Sequence, residues 1–284
     1  AKRSGRNNFQ FYTGQLNTLA TERVTLEGSL RRALEREELR VFYQPKMDRR
    51  GRPVGVEALL RWESEEQGWI PPDRFIGIAE DTGLIEPITE FVLERACMQA
   101  VEWSERGFGD LQMAVNLSAR SLKKPDLVDL IDRTLRQSGL APGRLEIEIT
   151  ESMLIGDAAA SVAILHQLKA LGVRLAVDDF GTGYSSLSYL QRFPVDILKI
   201  DRSFVSVIDS EQAESPIARL IVLLGHNLNL RVFAEGVESE AQHDYLDTFG
   251  CDEFQGFLYA RPSSAADIAS FFGRATAGRA AGAS

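Results

Sequence analysis

Leu175-Ala-Val-Asp-Asp-Phe-Gly-Thr-Gly-Tyr184 is an apolar run that stops at two adjacent carboxylates, Asp178 and Asp179, and passes into a glycine-rich loop. Two neighbouring acids at the mouth of a buried strand repel each other unless something positive lies between them. A hard divalent cation, or a pair of them, is the natural partner. An isolated Asp-Asp is more often a solvated turn or a helix N-cap, so the weight of this pair comes from its surroundings.

The same pattern recurs along the chain. Leu39-Arg-Val-Phe-Tyr-Gln-Pro45 delivers Gln44, Val54-Gly-Val-Glu-Ala-Leu-Leu-Arg61 carries Glu57 and Arg61, and Leu111 to Ser118 delivers Asn116. Leu145-Glu-Ile-Glu-Ile-Thr-Glu151 alternates with period two, which puts Glu146, Glu148 and Thr150 on one face. Val195 to Asp201 brings Lys199 and Asp201, Leu230 to Gly236 ends at Glu235, and Cys251 to Gly256 supplies Gln255. Helix-length amphipathic stretches lie between most of these runs, at Thr89–Arg106, Asp126–Ser138, Ala158–Leu171, Ser215–Leu228 and Ser239–Phe249. Strands alternating with helices predict a parallel α/β fold. About eight such units in one domain of roughly 250 residues predict a (β/α)8 TIM-like barrel, whose functional groups sit at the C-terminal strand ends. A doubly wound open sheet is the alternative, but no Gly-x-Gly-x-x-Gly follows the first strand.

The 284 residues carry a net charge of −9, which argues against general nucleic-acid binding. A small phosphate-bearing ligand stays compatible if metals and a few basic groups neutralise it locally. Cys97 and Cys251 are far apart and form no Cys-x-x-Cys pair, so they read as buried free thiols in a reducing compartment. No apolar run has the length of a membrane span and no secretory signal opens the chain, so a cytoplasmic segment without membrane contact is expected. His166, His226 and His243 lack metal-ligand spacing. Residues 1–25 read as a linker with a connecting helix from about Leu16 to Glu38, residues 26–273 as the main domain, and the Gly/Ala-rich residues 274–284 as a flexible tail.

Taken in order, the motifs resemble one family. Tyr43-Gln-Pro-Lys46, Glu57-Ala-Leu-Leu-Arg-Trp62, Asn116-Leu-Ser118, Glu148-Ile-Thr-Glu151, Asp178-Asp-Phe-Gly-Thr-Gly-Tyr-Ser-Ser186, Leu198-Lys-Ile-Asp201, Ala234-Glu-Gly-Val-Glu238 and Gln255-Gly-Phe257 are similar to the EAL domain of bacterial cyclic di-GMP phosphodiesterases. The likeness runs from about Leu26 to Phe272. It implies a modified barrel whose first strand is antiparallel to the rest, a reversal that spacing alone does not show. Ala1 to Tyr12 resembles the end of a GGDEF domain, which implies upstream GGDEF and sensory domains.

The resemblance also implies roles. Glu57, Asn116, Glu148 and Asp178 would hold a first Mg²⁺ or Mn²⁺; Asp178 would bridge to a second, completed by Asp179 and Glu235. Lys199 would orient the attacking water, or from the residues alone it forms an ion pair with Asp201 or with a metal ligand. Glu235 is either ligand or general base. Gln44, Arg61, Asp201 and Gln255 would contact substrate, although Arg61 suits a carboxylate partner equally well, the two glutamines suit backbone near the barrel mouth, and Asp201 suits a supporting place behind the contacts. The loop Phe180, Gly181, Thr182 and Gly183, held by Glu151, would couple the metals to a two-fold homodimer. Glu238 would support the segment after Glu235, or serve simply as an acid at a helix N-terminus.

Three other functions compete. A catalytically silent cyclic di-GMP receptor would have lost ligands or the loop, and neither is missing here. Asp179-Phe-Gly181 alone suggests a kinase, but the other kinase motifs are absent. An enolase-type barrel also holds Mg²⁺ on strand-end acids, and a phosphodiesterase assay separates it. The expected reaction is metal-dependent opening of cyclic di-GMP to linear pGpG.

Overall fold

The computed structural model describes residues 9–155, 158–183, 190–210 and 213–281. By its contacts the chain divides into two units, Ala1–Arg40 with Leu60–Ile88, and Val41–Leu59 with Thr89–Ser284. The larger unit holds the barrel. The strands of the described chain are β1 (Leu39–Asp48), β2 (Pro53–Ser64), a short β3 (Gly68–Ile70), β4 (Gln112–Asn116), β5 (Leu145–Thr150), β6 (Arg174–Phe180), β7 (Ile197–Ile200), β8 (Arg231–Ala234) and β9 (Glu253–Phe254). Parallel pairing runs from β2 through β4, β5, β6, β7 and β8 to β9. β1 pairs antiparallel with β9, Met47 opposite Phe254, and also pairs with β2, which closes eight strands into a ring. β3 lies outside that ring, antiparallel to the far end of β2.

The reversal of β1 has a local cause. Only Arg49 to Arg52 separate β1 from β2, with Gly51 at φ 67°. A connection that short makes a hairpin, whereas a parallel neighbour needs a crossover of a dozen residues or more.

Outside the ring, helices Leu127–Ser138, Ala158–Leu171, Pro216–Asn227 and Glu240–Thr248 alternate with the strands. Their ends fall within one residue of the sequence expectation, whereas the stretch expected at Thr89–Arg106 is the helix Ile85–Glu105, which starts four residues earlier. Ser215 caps Pro216–Asn227 by accepting from the Ala218 N–H, and Ser239 with Gln242 forms a reciprocal capping box. Ile147, Ile149, Leu175, Val177, Leu198, Ile200 and Val232 face outward from the strands and are fully buried. Each such side chain stabilises the fold by roughly 1.5–3 kcal/mol relative to exposure. At Gly225 the helix lies so close to β8 that a Cβ would come within 2.4 Å of Val232.

The smaller unit contains the helices Phe9–Glu35 and Pro72–Thr82, β3 and the end of β2. Trp62 is fully buried there, edge-on to Phe75, and its Nε1 donates to Glu38 at 2.9 Å. The first helix thus begins and ends earlier than about Leu16 to Glu38. At the other end, the helix Ala265–Ala281 carries through most of the tail that its Gly/Ala composition leaves unstructured; alanine is the best helix former and outweighs the glycines. Residues 1–8 and 282–284 lie outside the described residues. No described helix is long and apolar enough to cross a membrane.

Candidate active site

Period-two alternation sends one face of each strand into the barrel. In β5 this inward face carries Glu146 and Glu148, each about 1 % exposed. In β6 it carries Ala176 and Asp178, and a regular strand would turn Asp179 away. Instead the ladder with β7 shifts register between Val177 and Phe180, and Asp179 takes φ 53°. Aspartate tolerates this left-handed geometry better than most residues. The bulge returns the second acid to the same side. One oxygen each from Asp178, Asp179 and Glu235 then lie within 4.8 Å of one another, an arrangement that can hold a metal ion.

Lys199 enters from β7 with no exposed surface. Its Nζ lies 2.5 Å from Glu235, 2.6 Å from Glu148 and 3.2 Å from Asp178. Of the two ion pairs open to it in the sequence, the one realised is with candidate metal ligands. Burial disfavours its charge, but Asp178, Glu148 and Glu235 outweigh burial and hold its pKa well above the usual lysine range. Glu148 is gripped from its other side by Lys46, 3.1 Å from Oε1, and Lys46 in turn lies 2.6 Å from Glu146. Against the cost of burial, Lys199 and Lys46 pull the Glu148 pKa down to about 2. Burial and the Glu148 charge move Glu146 upward, against the pull of Lys46.

Glu57 has no lysine within hydrogen-bond reach. Its Oε1 accepts from the Asn116 side chain at 2.6 Å and its Oε2 from Gln255 at 2.7 Å. Burial, then Glu148 and Asp178, push its pKa up to about 7. Gln255 also donates to Gln44 at 2.8 Å, and Gln44 donates to the Ala260 carbonyl at 2.9 Å. The buried Oε1 of Gln255 finds no hydrogen-bond partner among the described residues, which leaves an acceptor for an incoming donor.

Glu151 lies beneath the glycine-rich loop. It accepts the Gly181 N–H at 2.9 Å, and a Cβ at Gly183 would come within 2.9 Å of its Oε1. Phe180 is buried, and Thr182 turns back to donate to the Asp179 carbonyl at 2.8 Å. Tyr184 to Ser186, the rest of that motif, lie outside the described residues. Asp201 caps the short helix Arg202–Val205, and its charge adds to burial and to Asp178 in raising the Asp179 pKa. Glu238 is exposed one residue before the Ser239 cap. Arg61 belongs to the smaller unit, where its Nη1 donates to the Leu60 carbonyl at 2.8 Å.

The sequence assigned no role to Lys46 or Glu146. A signal was present: two glutamates on one inward face demand a cation, and Lys46 shares its strand face with Gln44. With both residues counted, six carboxylates (Glu57, Glu146, Glu148, Asp178, Asp179 and Glu235) face two ammonium groups. Burial and the neighbouring carboxylates hold Glu57, Glu146, Asp179 and Glu235 above the usual carboxylate range, so the acids outnumber the cations and crowd one another. All the donors offered are oxygens, the set that hard divalent cations take.

Comparison with known proteins decides the relationship. A family model described as the EAL domain matches residues 27–262. The chain belongs to the EAL domain family. This EAL domain is 46% identical over 269 residues to the bifunctional diguanylate cyclase/cyclic di-GMP phosphodiesterase MucR of Pseudomonas aeruginosa, covering 94% of this chain and 39% of that protein. It is 40% identical over 265 residues to the cyclic di-GMP phosphodiesterase PdeR of Escherichia coli, covering 93% of this chain and 40% of that one. The chain therefore spans about two fifths of these curated relatives. Among solved structures, the PaMucR phosphodiesterase in complex with c-di-GMP superposes with a TM-score of 0.83 at 47% identity, covering 86% of this chain and 99% of that one. The EAL barrel and its reversed first strand agree with the sequence expectation.

Proposed function

We propose that this EAL domain is a metal-dependent phosphodiesterase that opens cyclic di-GMP to linear pGpG. The observation that carries the proposal is the acid surplus at the mouth of the barrel, centred on Asp178, Asp179 and Glu235. The set suits two divalent ions, Mg²⁺ or Mn²⁺, whose charge would draw the crowded carboxylates into their ionised form. Glu57, Asn116, Glu148 and Asp178 would hold one, and Asp178, Asp179 and Glu235 the other. Bound there, such ions supply a more acidic water and screen the phosphate oxygens.

The chain's own groups do the rest. The water oxygen bonds to phosphorus, the bond from phosphorus to the 3′ oxygen breaks, and the water's proton returns to that oxygen. Lys199 donates toward the water. Glu235, beside Lys199, accepts the proton or shares it as a ligand. The amides of Asn116 and Gln255 fix Glu57, and the free Oε1 of Gln255 accepts from substrate. Gln44 supports Gln255, while Arg61 and Asp201 contact the nucleotide. Glu151 holds Phe180, Gly181, Thr182 and Gly183 in place, Glu238 supports the segment after Glu235, and a two-fold homodimer couples the loops. Upstream GGDEF and sensory domains and a cytoplasmic setting complete the proposal.

The test is chromatography of cyclic di-GMP incubated with the chain and Mn²⁺, beside an EDTA control. Metal-dependent pGpG is the expected product. Tight binding without product would favour the silent receptor, and no binding would remove both readings.

A further inference from the structure

Lys46 and Glu146 are a buried ion pair that the proposed reaction does not use. Both are about 1 % exposed, below the carboxylates at the mouth. Stability does not account for them, because desolvating two charges costs several kcal/mol apiece and an apolar pair of similar volume is often as stable or more so. Their geometry points to Glu148. Lys46 Nζ lies 2.6 Å from Glu146 Oε1 and 3.1 Å from Glu148 Oε1, and stands 4.5 Å above the Phe233 ring. Lys199 takes the opposite oxygen, Glu148 Oε2, at 2.6 Å, and lies 5.6 Å from the same ring. Phe233 thus presents its electron-rich face to two ammonium groups, which suits a fixed lattice of charge. Glu148 can neither rotate nor change which oxygen it offers while both lysines hold it.

We propose that Lys46, anchored by Glu146 and Phe233, is a positioning residue that locks Glu148 Oε1 and so leaves Oε2, which also accepts from Lys199, as the oxygen offered to metal. The Lys46 ammonium is engaged by Glu146 and Glu148, so it reaches the site through Glu148. The inference rests on the metal-dependent phosphodiesterase reading, but its decisive measurement does not depend on turnover.

The test replaces the pair together, Lys46→Met with Glu146→Gln, which keeps volume and net charge and leaves no unpaired buried ion. Mn²⁺ is titrated calorimetrically into metal-free protein without substrate, and melting is followed in parallel. Groups that orient a metal ligand typically govern metal affinity 10- to 100-fold. The expected result is a cooperative melt with Mn²⁺ affinity lowered at least about tenfold. At saturating Mn²⁺, kcat should fall while KM for cyclic di-GMP stays within about twofold, since the pair is buried and offers a ligand no surface. A purely structural pair would move the melting temperature and leave the Mn²⁺ isotherm unchanged, and that outcome overturns the proposal. Should the double variant not fold, Lys46→Gln alone is expected to show the same loss of Mn²⁺ affinity, and an unchanged isotherm there also overturns it. Absence of pGpG from the unmodified chain would strike the phosphodiesterase reading and leave the titration to judge Lys46.

Discussion

Where the parallel strands begin, Asp196 meets Lys169 at 2.7 Å and accepts the Leu175 N–H at 2.8 Å, Glu253 meets Arg231 at 2.6 Å, and Asp247 meets Arg49 at 2.5 Å. Where the strands finish, Glu148, Asp178 and Glu235 share the ammonium of Lys199, Glu148 has a second in Lys46, and Asp179 lies beside them. The same residue types therefore do opposite work at the two ends. Acids at the starting end are satisfied by the chain itself and serve the fold. Acids at the finishing end outnumber the cations beside them, so their crowding opposes the fold, and on the proposed reading the balancing charge is the metal's.

Substitutions at the two ends should separate accordingly. The largest effect is expected from Asp179→Asn, which keeps a side chain suited to φ 53° but removes one surplus charge. Turnover of cyclic di-GMP should drop more than about 100-fold, beyond what loss of a supporting partner costs. The melting temperature in EDTA should hold or rise, because burial and Asp178 already oppose that charge. A drop in both would erase the contrast between the ends.

Next in size is a pH effect on the metal-free protein. Glu57 rises on folding from about 4.5 to about 7, so its protonated form is favoured in the folded state. A raised pKa contributes stability at low pH that is lost as pH climbs through that window. Melting in EDTA should therefore show a downward contribution between pH 4.5 and 7 that Glu57→Gln removes. Added Mn²⁺ should stabilise more at pH 8 than at pH 5, because its ligands must be deprotonated.

At the opposite end, Asp196→Ala leaves the Leu175 N–H without its acceptor and should cost about 1–3 kcal/mol of unfolding free energy. Turnover at saturating Mn²⁺ should stay within about twofold, and a larger loss would show that the two ends are coupled. Arg49→Ala is the smallest of the series. Its pair with Asp247 is solvent-exposed, so denaturant melts should shift by less than about 1 kcal/mol with activity untouched.

Much of this was legible in the sequence because strand alternation and caps are local. The glutamates of β5, the acids ending β6 and the serines heading two helices declare themselves within a few residues. β3 has three residues and β9 two, too few for a period to register. The reversed β1 came from family likeness, although its four-residue connection to β2 carries the physical cause. The bulge at Asp179 was not legible, since period two puts Asp178 and Asp179 on opposite faces. Lys46 escaped notice because its partners lie 100 and 102 positions away.

The closure of the ring between β1 and β9 also sets when the site comes into being. Gln44 and Gln255 meet across 211 positions of chain, and Glu57 takes one of its two amide donors from that same Gln255, the residue after β9. A ribosome making this domain must deliver nearly the whole chain before that contact can form, so the nascent barrel carries its acids for most of synthesis without the arrangement that uses them. Contacts so distant in sequence are slow to form, and the open ring exposes strand edges while it waits. Competence therefore arrives in one late step with the last strand.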